Sequence, residues 1–215
     1  KIIREILARS DFYSCECNRD VCLARDFGLK GKVLPVFPNS GGFDLAKLEP
    51  WRKKYKPSKR KIIMLKGYQH WAGRALVGIR ALEKCAELLK DYEIFIYSVQ
   101  PRSGVRRAAY NLTKKTGLKT TIVPLGTKHQ EILKLHARAR LSIGLSLSDA
   151  ISTSVLEALV MGSFPIQSWT SCADEWVKHN VSFISDHHNQ SLQQRFWQLA
   201  WMFIPPFLMS DTMDI

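Results

Sequence analysis

Apolar residues fall along this chain in two alternating rhythms. KVLPVF, KIIML, YEIFIYS, TTIVPL, RLSIGLSL and SFPIQ are short runs rich in β-branched, aliphatic and aromatic residues, and they read as strands. Most are near-continuously apolar, the pattern expected of a parallel sheet with helices on both faces. Helical patterns lie between them. The clearest is GRALVGIRALEKCAELLK, in which Ala75, Ile79, Leu82, Ala86 and Leu89 form one apolar stripe. Further helices are expected to start near Arg102, Lys128, Ser152 and Cys172. This alternation predicts an α/β fold, a doubly wound, Rossmann-like parallel sheet with right-handed crossovers. Ligands of such sheets bind at the carboxyl ends of the strands, where loops lead into helix N-termini.

The stretch before Lys61 has a different character. KIIREILARSDFYS and NRDVCLARDFG read as two helices around a short strand, followed by the Gly- and Pro-rich PNSGGFDLAKLEP and the basic WRKKYKPSKRK. Residues 1–60 are therefore expected to be the remnant of a preceding domain plus a linker, and residues 61–215 a second domain. The chain opens at Lys1 without a Met, which reads as a cut through a longer protein.

Composition narrows the class. Of 215 residues 46% are hydrophobic, enough for a sizeable core, and 24% are charged, which argues against disorder. The longest apolar run, LAWMFIPPFLM, is too short and too interrupted by proline to span a bilayer. Cys15, Cys17 and Cys22 lack a fourth nearby ligand and any CxxC pair, so reduced thiols of a cytoplasmic protein are expected and no metal site. His187 and His188 read as loop residues. A net charge of +13, from 32 basic and 19 acidic residues, favours anionic partners. The basic runs at Arg52–Lys61 and around Arg106, Arg107, Lys114 and Lys115 read first as solvated faces, and second as peripheral contacts with an anionic membrane. No recognised nucleic-acid motif or aromatic platform accompanies them, so no nucleic-acid partner is expected. The absence of DxD, GxxxxGK[ST] and GxGxxG patterns argues against metal-dependent GT-A transfer, NTPase and dinucleotide readings.

The segment SLSDAISTSVLEALVMGSFPIQS carries the most chemistry. A strand is expected to end near Leu147, a polar loop to hold Asp149, and a helix to begin around Ser152 to Ser154. A helix N-terminus offers unpaired backbone N–H groups and partial positive charge, which suits a diphosphate. The hydroxyls of Ser152, Thr153 and Ser154 add donors. Glu157 could accept from the vicinal hydroxyls of a ribose, with Asp149 near the sugar hydroxyls. Ser154 to Glu157 also spells a capping box, in which the glutamate needs no ligand.

This segment resembles the Glu, seven residues, Glu motif of retaining family 4 glycosyltransferases, with Glu157, Ala158, Met161, Gly162, Pro165 and Ile166 in matching places. Asp149 stands at the first acidic position, one methylene shorter, and Ser152 replaces the usual loop glycine. LPVFPNSGGFDLAKLEP is similar to that family's interdomain linker. KIIMLKGYQHWAGRALVGIRALEKC resembles its first donor-domain strand, loop and helix, and VPLGTKHQEILKLHARARLSIGLS its base-pocket region. The resemblance covers roughly residues 11–180.

The resemblance implies the C-terminal, nucleotide-sugar-binding half of a GT-B fold. It implies retaining sugar transfer to a glycan or lipid-linked acceptor, without metal or other cofactor. Glu157 would hold the ribose, and Lys66 and Arg74, in swapped order relative to the family, would neutralise phosphate. Leu125, Gly126 and Thr127 would meet the base through backbone groups. The catalytic residues would lie in the other half, leaving this chain inactive alone. Two other readings stay open: a non-catalytic nucleotide-binding or scaffold domain, and a basic α/β module for membrane or nucleic acid.

Overall fold

The computed structural model describes residues 1–37, 41–168, 172, 175 and 183–185. The linker's Pro38, Asn39 and Ser40, most of the helix expected from Cys172, the histidines His187 and His188 and the apolar C-terminal run lie outside the described residues.

The main unit is a six-stranded parallel sheet. Its strands are β3 (Ile62–Lys66), β4 (Glu93–Tyr97), β5 (Lys119–Ile122), β6 (Ala139–Gly144), β7 (Phe164–Ser168) and β8 (Phe183–Ser185), in the spatial order β5-β4-β3-β6-β7-β8. The chain runs outward from β3 to β5, returns across the sheet and runs outward again from β6. This is the doubly wound order expected from the sequence, with its reversal between β3 and β6.

The period of two along each strand sorts side chains onto the two faces. Ile63, Leu65, Ile94, Ile96, Leu141 and Ile143 pack against helices α4 (Ala75–Lys84) and α5 (Val105–Thr116). Ile62, Met64 and Tyr97 point the other way, toward Ile132 and Leu135 of α6 (His129–Arg138). Helix α7 (Thr153–Val160) lies beside α6 on that face. All five residues of the predicted apolar stripe are buried, although α4 ends at Lys84 and a 3-10 turn at Ala86–Leu89 carries its last two. Gly117, in the left-handed region at φ +74°, stops α5 where a side chain would be strained.

The segment before the sheet holds α1 (Ile2–Arg9), β1 (Phe12–Tyr13), α2 (Asn18–Asp26) and β2 (Lys32–Val33), with β1 and β2 forming a separate parallel pair. The run KVLPVF thus supplies only two strand residues, since Pro35 has no N–H to continue a ladder. The supposed linker contains a further helix, α3 (Leu45–Lys54). Asp44 caps it by accepting from the Lys47 backbone N–H at 3.3 Å, and Pro50 is accommodated inside it. Leu48 packs with Leu133, Ala137 and Met161, so α3 lies against α6 and the end of α7. Leu45, Leu48 and Trp51 recur at helical spacing within the stretch expected to be a linker.

The basic run is not uniformly a solvated face either. Arg60 is only 4% exposed. Its guanidinium donates to the carbonyls of Arg52, Tyr55, Ala139, Met161 and Gly162, at 2.6–3.3 Å. Four of those acceptors sit at the C-terminal ends of α3 and α7, and the fifth, Ala139, where α6 ends and β6 begins, places where unpaired carbonyls concentrate partial negative charge. Burial pulls the Arg60 pKa down to about 10, so it stays charged at neutral pH. Replacing Arg60 by Met leaves these carbonyls facing an apolar side chain and is expected to cost about 3 kcal/mol. Arg60→Lys, with fewer donors in a different geometry, should lose part of that. Urea unfolding midpoints of the three proteins check both values.

Candidate functional site

The strand order reverses between β3 and β6, and it is above the carboxyl ends of two such strands that a doubly wound sheet forms its crevice. Two loops frame it. The loop after β3 runs from Gly67 to Arg74, and the loop after β6 from Leu145 to Ser152. They are stitched together by the Leu147 N–H donating to Ala72 O at 2.7 Å and by a bridge between Gly73 and Ser146. Gly67 lies so close to the neighbouring strand that a Cβ there would come 2.5 Å from Val99 Cγ2 and 2.8 Å from Tyr97 O. Only glycine fits, and the backbone emerging from β3 is held low over the sheet.

Four of the sequence-predicted residues converge in this crevice. Lys66, at the end of β3, donates through Nζ to Ser152 Oγ at 3.0 Å and lies 3.7 Å from Asp149 Oδ2. Ser152 Oγ and Ser154 Oγ are 2.7 Å apart. Burial pushes the phenol of Tyr97, a residue of β4 beside Ser154, well above its usual pKa. Ser152 is the N-cap of α7 but its side chain does not cap the helix, because the hydroxyl is turned toward Lys66 and Ser154. Thr153 opens the helix and is exposed. Asp149 Oδ2 is buried and has no hydrogen bond among the described residues. Arg74 stands apart from this cluster, as the N-cap of α4 at the far end of the β3 loop. It is half-buried, and its guanidinium makes no hydrogen bond or ion pair among the described residues.

Glu157 sits one turn further along α7 and is directed at α6. The capping-box alternative does not describe it. The N-cap is Ser152, not Ser154, and the Glu157 carboxylate bonds a side chain on α6. His129 Nε2 lies 2.7 Å from Glu157 Oε1, and His136 Nε2 lies 3.7 Å from Glu157 Oε2. Since a carboxylate can only accept, His129 is the donor.

His129, His136 and Tyr97 were not singled out from the sequence. A signal for the histidines was present, because residues seven apart on a helix share one face. His136 is fully buried. Its Nδ1 is 2.8 Å from Ser142 Oγ, which continues to Ser163 Oγ at 2.7 Å, and its ring meets Tyr97 edge-on at 5.6 Å. Burial, and secondarily the neighbouring His129, lowers its pKa to about 3. It is therefore a neutral imidazole at physiological pH.

The loop ahead of α6, expected to meet a base, is a tight turn. Both the backbone N–H and the hydroxyl of Thr127 donate to Pro124 O, Gly126 has φ +89°, and Leu125 is exposed. Tyr68, His70 and Trp71 form a chain of ring contacts in the β3 loop, at centroid distances of 6.1 and 6.0 Å. All five cysteines are free. Among the described residues, no three His, Cys, Asp or Glu side chains are grouped to hold a metal ion, and no helix is long and apolar enough to cross a membrane.

The fold has many counterparts among solved structures. HepE of Anabaena, solved in complex with UDP-glucose, superposes with a TM-score of 0.64 over 97% of this chain and 61% of its own, at 13% identity. A glycosyltransferase of Rickettsia africae superposes at 0.63 over 97% of this chain and 63% of its own, at 17% identity. The C-terminal domain of the group 1 glycosyl transferase LpcC of Francisella tularensis superposes at 0.58, covering 79% of this chain and 94% of that domain, at 13% identity. At such identities the shared property is the fold, a Rossmann-like α/β sheet matching the C-terminal part of GT-B glycosyltransferases. The chain spans less than two thirds of the length of HepE and of the Rickettsia protein. No family model matches the sequence, and no curated protein is similar to it in sequence.

Because His136 is held neutral in the folded state while its unfolded pKa is the ordinary 6.5, the unfolded chain binds the extra proton between those values. Stability is expected to fall as pH drops from 6.5 toward about 3, at up to about 1.4 kcal/mol per pH unit from this residue. His136→Gln, which can still hydrogen-bond Ser142 but does not titrate, should flatten that slope. Urea unfolding of both proteins between about pH 4 and about pH 7 measures it.

Proposed function

We propose that this chain is the donor-binding part of a GT-B glycosyltransferase, binding a nucleotide-sugar through its diphosphate and ribose. The observation that carries the reading is the placing of the Lys66 ammonium against the N-terminus of α7. A cation beside the positive end of a helix is unfavourable by itself. Here two sources of positive charge meet at a helix start that no side chain caps, with Asp149 as the only carboxylate bridging to Lys66 among the described residues. A diphosphate would accept from Lys66, from the first N–H groups of α7 and from Ser152 and Thr153, offsetting both charges at once. Arg74, with a guanidinium free of partners among the described residues, would close on the same group from the other loop.

In this reading Glu157 holds the ribose hydroxyls and Asp149 faces the donor sugar. The Leu125 to Thr127 turn, directly ahead of the α6 end that carries His129, meets the base. Stabilisation of the departing diphosphate would come from these fixed cations and helix dipoles, without a metal ion. The resemblance of the Asp149 to Glu157 segment to family 4 supports retention of configuration, and a glycan or lipid-linked acceptor. The groups that handle the acceptor would lie outside this chain, which alone would transfer no sugar. The exposed basic residues of α3 and α5 would allow peripheral contact with an anionic cytoplasmic membrane face. The complexes of the similar Anabaena protein with UDP-glucose, and with UDP and glucose, make UDP the first nucleotide to test.

Calorimetric titration of the chain with UDP, GDP and ADP tests the proposal. Saturable binding of one diphosphate is expected, weakened about tenfold or more in both Glu157→Ala and Lys66→Ala, each variant losing a charge-assisted contact. Binding of none of the three by the folded chain would refute it.

A further inference from the structure

The carboxylate assigned to the ribose is already engaged, and the residue engaging it stands on the solvent side. Glu157 is a buried side chain, 9% exposed, whereas its partner His129 is 60% exposed. Glu157 extends from α7 to α6, so a ligand that reaches its carboxylate meets the His129 imidazole at the same place. From below, the neutral and fully buried His136 ring holds its Nε2 toward the second carboxylate oxygen, without a hydrogen bond of its own among the described residues.

This arrangement bears on which ligands Glu157 can take. Each carboxylate oxygen has two acceptor sites, so the bond from His129 leaves Oε1 one site, and Oε2 remains open. A free glutamate rotates broadly about its terminal torsion, and pinning it on ligand binding would cost entropy. His129 fixes that torsion beforehand. It is itself fixed, as the first residue of α6 directly after the tight Pro124 to Thr127 turn. Two oxygens at a set spacing, each with an acceptor site still open, fit two adjacent hydroxyl donors. They do not fit one, because a missing hydroxyl leaves a partly buried acceptor unpaired.

We infer that His129 is a positioning residue, which orients the Glu157 carboxylate and thereby makes the site select a ribonucleotide with an intact vicinal diol over its 2′-deoxy counterpart. The inference rests on the ribose reading of Glu157. The probes are UDP and 2′-deoxy-UDP, titrated into the chain and into His129→Ala, His129→Gln and Glu157→Ala. His129 is exposed, so its variants should fold, which circular dichroism checks.

The chain should prefer UDP by about tenfold, the worth of one hydrogen bond to a charged group. His129→Ala should lose most of that preference. His129→Gln, whose amide N–H can replace the imidazole donor, should restore it; a purely structural role would not predict such a rescue. An unchanged preference in His129→Ala, with the preference lost in Glu157→Ala, would overturn the role of His129 and leave Glu157 on the ribose. A preference that survives in both, or is absent from the unaltered chain, would overturn the ribose reading itself. Tighter UDP binding by His129→Ala would mark the imidazole as a competitor for the carboxylate and overturn the inference as well.

Discussion

The buried guanidinium of Arg60 is the constraint around which this unit is organised. Among the described residues it hydrogen-bonds no carboxylate. It is held by five carbonyls drawn from the end of α3, the start of β6 and the end of α7. A charge so deeply removed from water survives only because two helix C-termini point their negative ends at it. In return it neutralises those carbonyls and fixes where α7 ends. Since α7 has only 8 residues, fixing its end also fixes its start, which forms one wall of the crevice.

The two ends of α7 are thus treated in opposite ways. The C-terminal end is met by a cation that satisfies it. The N-terminal end is also met by a cation, Lys66, which does not. A structure optimised only for stability would place an acidic cap there, and Ser152 could have bonded the backbone N–H groups of its own helix. Its hydroxyl is spent on Lys66 and Ser154 instead. Local rules of helix capping fail at the same place where charge, glycine-tight backbone and strand reversal coincide, and such failures are expected where a site competes with stability.

Beneath that wall runs a polar seam. Lys66, Ser152, Ser154 and Tyr97 form one part, and Glu157, His129, His136, Ser142 and Ser163 the other, brought together where the Tyr97 and His136 rings meet edge-on. Buried polar groups are costly unless they are bonded, and once bonded they specify one arrangement. The seam links the Lys66 end of the crevice to Glu157 through side chains whose positions depend on one another.

The sequence by itself determined the order of elements and the layering. Near-continuous apolar strands and one-sided helices allow few other arrangements, and the residues of β3, β4 and β6 alternate between the faces as their spacing requires. The sequence also determined that Asp149, Ser152 to Ser154 and Glu157 lie around a strand-to-helix turn, because those positions are close in the chain. Tertiary structure decided what is distant. Arg60, inside the basic run before β3, looked solvated like its exposed neighbours because local composition does not register two helix ends arriving from elsewhere. The helix at residues 45–54 was not foreseen because glycine and proline nearby mask a short helical stripe when no partner surface is in view. Whether Glu157 turned back to cap its own helix was open until α6 brought His129 and His136 against it. A side chain's charge and hydrogen-bonding capacity are written in the sequence, but whether it is buried, and which group it meets, is fixed only when segments far apart in the chain pack together.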